Sequence, residues 1–292
     1  MGPVGRSVER LGRPKRRHQR VSPSLNASFR AHYNAGVERD RLLAGTSNLE
    51  FERTKRILSR YLPGRPGTIL DVGGGPGRYS FWLAEKGHSV HLVDVMPLHI
   101  QQARDFQGKS KNPLSSIRVG DARSLDFDDR CADAVLLFGP LYHLVRKNER
   151  LKVLFEAHRV LKPGGLLFAA AISRFTSALD GSLRGFIRDP GFMKIIERDL
   201  KTGQHRNPTN KLEYFTTAFF HHPDELDSEI RQARFRSVKI FAITSFAWLL
   251  PGFKQIWKDP ELRDRLMSIL DRIELERSLL GQSDHLLAVG RK

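Results

Sequence analysis

The sequence predicts an α/β fold built on a doubly wound, mostly parallel sheet. Three observations carry this: short β-rich runs alternate with helical patterns, the central runs are continuously apolar, and the first is followed by a glycine-rich turn. Seven strands are expected, at Thr68–Val72, Ser89–Val95, Ser116–Val119, Ala132–Phe138, Leu166–Ala171, Val238–Ser245 and His285–Val289. Ala134-Val135-Leu136-Leu137-Phe138 has no polar alternation, as suits a parallel strand buried on both faces. In such a sheet the ligand lies at the carboxyl ends of the central strands, so functional residues are sought just after each strand.

Between Ser173 and Phe235 the alternation breaks into helical pieces, the turn formers Asp189-Pro190-Gly191 and Asn207-Pro208, and an aromatic patch at Tyr214–Phe220. This stretch is expected to be an insertion covering the active site of one domain, residues 26–292, preceded by a disordered basic tail at residues 1–25. The first twenty residues carry seven Lys/Arg and one Glu, +6 of a formal net charge of +17. The remaining basic residues are mixed with acids, as in Glu197-Arg198-Asp199, and no aromatic-rich RNA-binding signature accompanies them; a nucleic-acid partner is disfavoured but stays open. The tail has no apolar core of a secretory signal, and no stretch approaches the length of a membrane span. One cysteine, Cys131, excludes an internal disulfide framework, and a reducing, cytoplasmic setting is expected.

The strongest local signal is Ile69-Leu70-Asp71-Val72-Gly73-Gly74-Gly75-Pro76-Gly77, a strand that ends in an acid and a glycine turn leading into a helix. Glycines let backbone approach a ligand, and the helix N-terminus presents unsatisfied N–H groups. The dinucleotide spacing G-x-G-x-x-G would need glycine at position 78, where Arg78 stands. Asp94 ends the second strand, where a carboxylate can accept both hydroxyls of a ribose.

The Asp-x-Gly-x-Gly-x-Gly spacing resembles motif I of the class I S-adenosylmethionine (SAM)-dependent methyltransferases. Val119-Gly120-Asp121-Ala122 resembles that family's third motif, and Val160-Leu161-Lys162-Pro163-Gly164-Gly165 resembles the turn before its fifth strand. The resemblance spans roughly Thr54 to Ile172 plus the terminal strand pair. It implies a Rossmann-like sheet of seven strands, the last antiparallel in Ser283–Lys292, with SAM as cofactor. In SAM binding it implies Gly73, Gly75 and Gly77 as the loop at the amino-acid end, helped by Asp71. Asp94 would hold the ribose, and Asp121 with the backbone of Ala122 the adenine. Phe138 follows the fourth strand beside them. Phe29 to Leu42 resembles an N-terminal segment that folds over SAM, which implies Tyr33 at the methionine end, unless Tyr33 simply anchors a helix.

On the acceptor side, Phe138-Gly139-Pro140-Leu141-Tyr142 lacks the Asn/Asp of base-amine methyltransferases. A small organic acceptor methylated at O, N or C is therefore expected, with Tyr142, His143, Tyr214, Phe215 and Phe219 as acceptor contacts. His143 is the candidate base, with a structural role equally open, and His221 and His222 are weaker candidates; His222-Pro223-Asp224 also reads as a helix cap. Much of the catalysis can come from alignment alone. No metal is expected, since the histidines are dispersed. Methylation of RNA or another macromolecule, and SAM binding without catalysis, are the alternatives.

Overall fold

The computed structural model describes residues 45–209 and 211–292. Tyr33 and the expected basic tail lie outside the described residues. The seven expected strands form: β1 (Thr68–Val72), β2 (Ser89–Asp94), β3 (Ser116–Val119), β4 (Ala132–Leu137), β5 (Leu161–Ser173), β8 (Arg236–Ala242) and β9 (His285–Arg291). The insertion adds two short ones, β6 (Gln204–His205) and β7 (Ala218–His221), which bring the sheet to nine. β3, β2, β1, β4 and β5 pair in that order and in parallel. β9 runs antiparallel along β5, with β8 antiparallel on its far side.

Among the described residues the helices are α1 (Ser47–Tyr61), α2 (Arg78–Glu85), α3 (Pro97–Gln107), the single turn α4 (Pro140–His143), α5 (Lys147–Val160), α6 (Thr176–Leu183), α7 (Pro190–Thr202), α8 (Pro223–Gln232), α9 (Phe253–Lys258) and α10 (Pro260–Ile273). Successive strand residues face opposite sides, and the apolar runs consequently feed two cores. Leu70, Val72, Val135 and Leu137 meet Val153 and Leu154 of α5 on one face. Ile69, Ala134 and Leu136 meet Ile57, Leu83 and Ile100 of α1, α2 and α3 on the other. Phe168 is fully buried in the second core, where truncation to alanine is expected to cost about 3–5 kcal/mol.

Two buried arginines form ion pairs inside this framework. Arg53 of α1, fully buried, donates to Glu274 at 2.6 Å and to the Ile243 carbonyl at 3.2 Å, and also pairs with Asp271 of α10. It closes the C-terminal helices over one face of the sheet. Arg150 of α5 makes a two-pronged bond to Glu229 of α8, at 2.9 and 2.6 Å, and stacks over Phe219 at 3.6 Å.

Ile172 of β5 pairs with Phe220 on one edge and with His285 on the other. The β6–β7 ribbon therefore continues the sheet beyond the carboxyl end of β4, next to α4. Within the insertion Phe192, Ile195, Ile196 and Tyr214 form a separate apolar cluster, and Ala218 and Phe220 form another with Ile172. From Leu226 onward the chain is back in the main core, where Leu226, Ile230 and Phe235 are buried. The part that stands apart is thus shorter than residues 173–235.

Candidate active site

A cleft of about 1010 Å3, its solvent-open mouth included, lies at the carboxyl ends of β1, β2, β3 and β4. Its walls are the turn after β1 (Gly73, Gly74, Gly75), the end of β2 (Asp94, Met96), the turn after β3 (Gly120 to Arg123) and the segment after β4 (Phe138 to Leu144). Four segments far apart in sequence meet here because parallel strands all deliver their carboxyl ends to one edge.

The glycine turn is close-packed on both sides. Gly73 sits at φ +74°, where a Cβ would lie 2.6 Å from Cδ of Pro140, and at Gly74 a Cβ would lie 2.5 Å from the Asp71 carboxyl carbon. No larger residue fits between the β1 turn and the β4 turn without moving one of them. Gly77 caps α2 and packs on Phe81 and Leu92, outside the cleft wall.

Asp71 is fully buried beneath this turn and does not line the cleft. Ser80 donates to its Oδ2 at 2.6 Å, while Oδ1 has no protein partner. Burial raises its pKa to about 6, helped by the charge of Asp94 and opposed by the Ser80 bonds. Asp94 is 6% exposed and lines the cleft. Its carboxylate accepts from Gly75 N at 2.9 Å and Met96 N at 2.8 Å, and lies 3.1 Å from Nδ1 of His99. This one carboxylate holds the β1 turn to the β2 turn.

Asp121 accepts from the Arg123 guanidinium at 2.7 and 3.0 Å and from Arg123 N at 2.9 Å; Arg123 also reaches Glu149 at 2.6 Å. Burial pushes the Asp121 carboxyl up, but the Arg123 bonds and charge hold it below the ordinary carboxylate range. Ala122 lines the cleft beside it. Phe138 stands edge-on to Tyr79 at 4.8 Å, and the Tyr142 hydroxyl donates to the Phe138 carbonyl at 2.9 Å. His143 lies edge-on to Tyr142 at 4.5 Å and lines the same cleft.

Gly73, Gly75, Asp94, Asp121, Ala122, Phe138, Tyr142 and His143 are thus brought together. The insertion aromatics are not. Tyr214 is buried between Phe186 and Phe192 with its hydroxyl donating to Asp189 at 2.7 Å, and Phe219 lies under Arg150. Phe215 packs near Phe220, in the cluster that Tyr142 joins, outside the cleft wall. A run of aromatics in a segment too short to reach the main core makes satellite cores of its own, and periodicity cannot separate those from a pocket wall. His221 is fully buried beside Glu229, and its pKa is lowered chiefly by burial. His222 Nδ1 accepts from Asp224 N, and Glu225 completes the capping box, so His222 is a cap.

Sequence reasoning missed Arg78, Tyr79, Met96, His99 and Arg123 in the cleft wall. Arg78, Tyr79 and His99 stand on the first turn of the helix after a recognised glycine or acid, and Met96 and Arg123 two residues after one, which is the only signal they carry.

Residues 70–169 match the family model of the methyltransferase domain. Over that third of the chain it carries the methyltransferase-domain pattern, and the sheet topology is that of the class I SAM-dependent methyltransferases. Among curated relatives, a ubiquinone/menaquinone biosynthesis C-methyltransferase of Acidiphilium cryptum is 35% identical over 143 residues, 47% of this chain and 56% of that one. A demethylmenaquinone methyltransferase of Renibacterium salmoninarum is 36% identical over 126 residues, 42% of this chain and 49% of its own. The chain therefore spans about half the length of these methyltransferases. A methyltransferase structure from Mesorhizobium loti covers 84% of this chain and 100% of its own at a TM-score of 0.55 and 16% identity. The 1,6-didemethyltoxoflavin-N1-methyltransferase of Burkholderia thailandensis covers 96% and 93% at 0.54 and 16% identity. At those identities the likeness is one of fold.

The cleft fits the family's cofactor. The glycine turn leaves its wall free of side chains beside the N-terminus of α2, and a largely buried carboxylate, Asp94, lines the cleft where a ribose would lie. Asp71 supplies buried negative charge under the turn, with Oδ1 unmatched by the protein, on the side expected to receive a cationic amino-acid end.

Proposed function

We propose that the protein transfers a methyl group from SAM to a small organic acceptor. The observation that carries this reading is the continuity of one cleft, from the Gly73–Gly75 turn and Asp94 to an acceptor-side wall of Phe138, Pro140, Tyr142, His143 and Leu144. SAM supplies a sulfonium-bound methyl for in-line displacement. The chain's own work is alignment: the glycine turn and Asp71 at the amino-acid end, Asp94 at the ribose, and Gly120, Asp121 and Ala122 at the adenine. Phe138 and Tyr142, locked by the Tyr142 hydroxyl bond, present an apolar wall that excludes water from the reacting face.

The acceptor wall offers Gly139-Pro140 where an amine-binding carboxamide would be needed, which favours small apolar acceptors over nucleobases. The curated relatives, named for C-methylation in ubiquinone/menaquinone biosynthesis and for methylation of demethylmenaquinone, support a small organic acceptor. Residues from the separate part of the insertion are proposed to bound the acceptor from above, through Phe215 and the β6–β7 ribbon beside α4.

Calorimetric titration with SAM, S-adenosylhomocysteine and NAD tests the cofactor, followed by transfer of radiolabelled methyl to a panel of phenols, quinols, amines and RNA. Binding of SAM with label in a small aromatic is the expected result. Response to NAD alone, or label only in RNA, would overturn the reading.

A further inference from the structure

The turn after β3 holds its acid in a clamp. Arg123, two residues after Asp121, donates Nε to both carboxylate oxygens, at 3.0 and 3.2 Å, and Nη2 to Oδ2 at 2.7 Å. Its backbone N–H adds a further bond to Oδ1 at 2.9 Å. A carboxylate has about four lone-pair sites, two on each oxygen. Two donor contacts reach each oxygen of Asp121, so one residue fills its accepting capacity. The clamp is anchored on a second element, because Nη1 of Arg123 donates at 2.6 Å to Glu149 on the first turn of α5.

Both members of the clamp belong to the cleft wall. Asp121 and Arg123 line it beside Ala122, with Val95 and Met96 contributed from the end of β2. The Arg123 side chain keeps 15% of its surface exposed. All three guanidinium nitrogens are bonded to carboxylates, and those bonds lie in the plane of the group. What remains to a ligand is the flat face, which is suited to stacking on an aromatic ring.

We propose that Arg123 is the nucleobase-recognition residue of this cleft: its guanidinium face stacks on the adenine, and Asp121 acts through Arg123 instead of accepting the adenine 6-amino group. The proposal rests on the SAM reading and refines its adenine end. A guanidinium–carboxylate fork joins two opposite charges through parallel bonds, whereas the adenine amine offers the acid a single neutral donor, so the fork holds when the cofactor enters. The base is then selected as a flat purine, with little weight on its exocyclic amine.

The test is calorimetry with S-adenosylhomocysteine and with its 6-deamino analogue, in which purine replaces adenine and the ring nitrogens keep their acceptors. Wild type is expected to bind the two within about threefold, whereas a bond from the amine to ionised Asp121 would make the analogue bind about tenfold or more weakly. R123A should bind the analogue roughly tenfold more weakly than wild type does, having lost the stacked face. It should lose less with S-adenosylhomocysteine, because the released Asp121 can accept the amine, so the ratio between the two ligands opens in the variant. R123K, which keeps the charge without the flat fork, should lose the analogue as R123A does. A role confined to holding the turn together would weaken both ligands equally and leave the ratio closed. The wild-type ratio needs no variant and decides the matter even if R123A is poorly folded by its thermal midpoint. A wild-type penalty above threefold, a folded R123A that binds the analogue as wild type does, or a ratio that stays closed in it overturns the proposal and leaves methyl transfer standing. Failure of the wild type to bind S-adenosylhomocysteine sinks the functional reading itself.

Discussion

Asp71→Asn is expected to make the ligand-free protein more stable at neutral pH while weakening its hold on SAM. Asp71 has no exposed surface, one hydrogen bond from Ser80 and one oxygen without a protein partner. Its pKa rises from 3.8 to about 6, mainly through burial. A carboxyl whose folded pKa exceeds its unfolded value favours folding when protonated. That contribution is complete below about pH 4 and is lost as pH rises through about 6. At about 1.4 kcal/mol per pKa unit the rise makes the ionised carboxylate a liability of about 3 kcal/mol at neutral pH, an upper bound for a group that can relax. Asparagine keeps the shape and can still accept from Ser80, and it removes the charge. Urea unfolding of ligand-free wild type and Asp71→Asn across pH 4 to 8 should give curves that converge at the acid end. By pH 7 the variant should lead by roughly 1–3 kcal/mol. Calorimetry should show its SAM affinity reduced by about tenfold or more, since the charge under the turn is spent on the ligand. A variant less stable than wild type at pH 7, or a gap that does not change with pH, would refute the reasoning.

Asp94→Ala should both weaken SAM binding by roughly 1–3 kcal/mol and lower the denaturation midpoint of the ligand-free protein, because Gly75 N and Met96 N lose their acceptor; an unchanged midpoint would show that the two turns are not tied through this carboxylate. Glu229→Ala should destabilise by about 3–5 kcal/mol, since it leaves the Arg150 guanidinium, 2% exposed, without its carboxylate; a chemical denaturation curve within 1 kcal/mol of wild type would contradict this. Tyr214→Phe should cost about 1 kcal/mol of stability through the lost bond to Asp189 and leave SAM affinity as it was, so a large change in SAM titration would place Tyr214 nearer the cofactor than its cluster does. The Cys131 thiol, half-buried and pushed up in pKa by burial, should react with a disulfide reagent several-fold more slowly than a free thiol, and a burst of labelling in the native protein would argue otherwise.

By itself the sequence determined whatever depends on local pattern and backbone chemistry. Continuous apolar runs such as Ala134–Leu137 announce strands buried on both faces, and Asp71 followed by alternating glycines announces a turn that few ligands need. The same reasoning placed Asp94, Asp121 and Phe138 at strand ends, where the parallel sheet gathers them. Only the tertiary structure decided what these residues do to one another. Asp71 and Asp94 both end strands, yet one is sealed beneath the turn and the other opens to the cleft, because β1 is central and its turn is pinned by Pro140. The aromatics Tyr214 and Phe219 were legible as apolar but not as cores of their own, since helix and strand period say which face is buried and never against what. His285 carried no signal at all in the chain. Only the fold brings it to the cleft edge, because the antiparallel last strand begins where the parallel strands end.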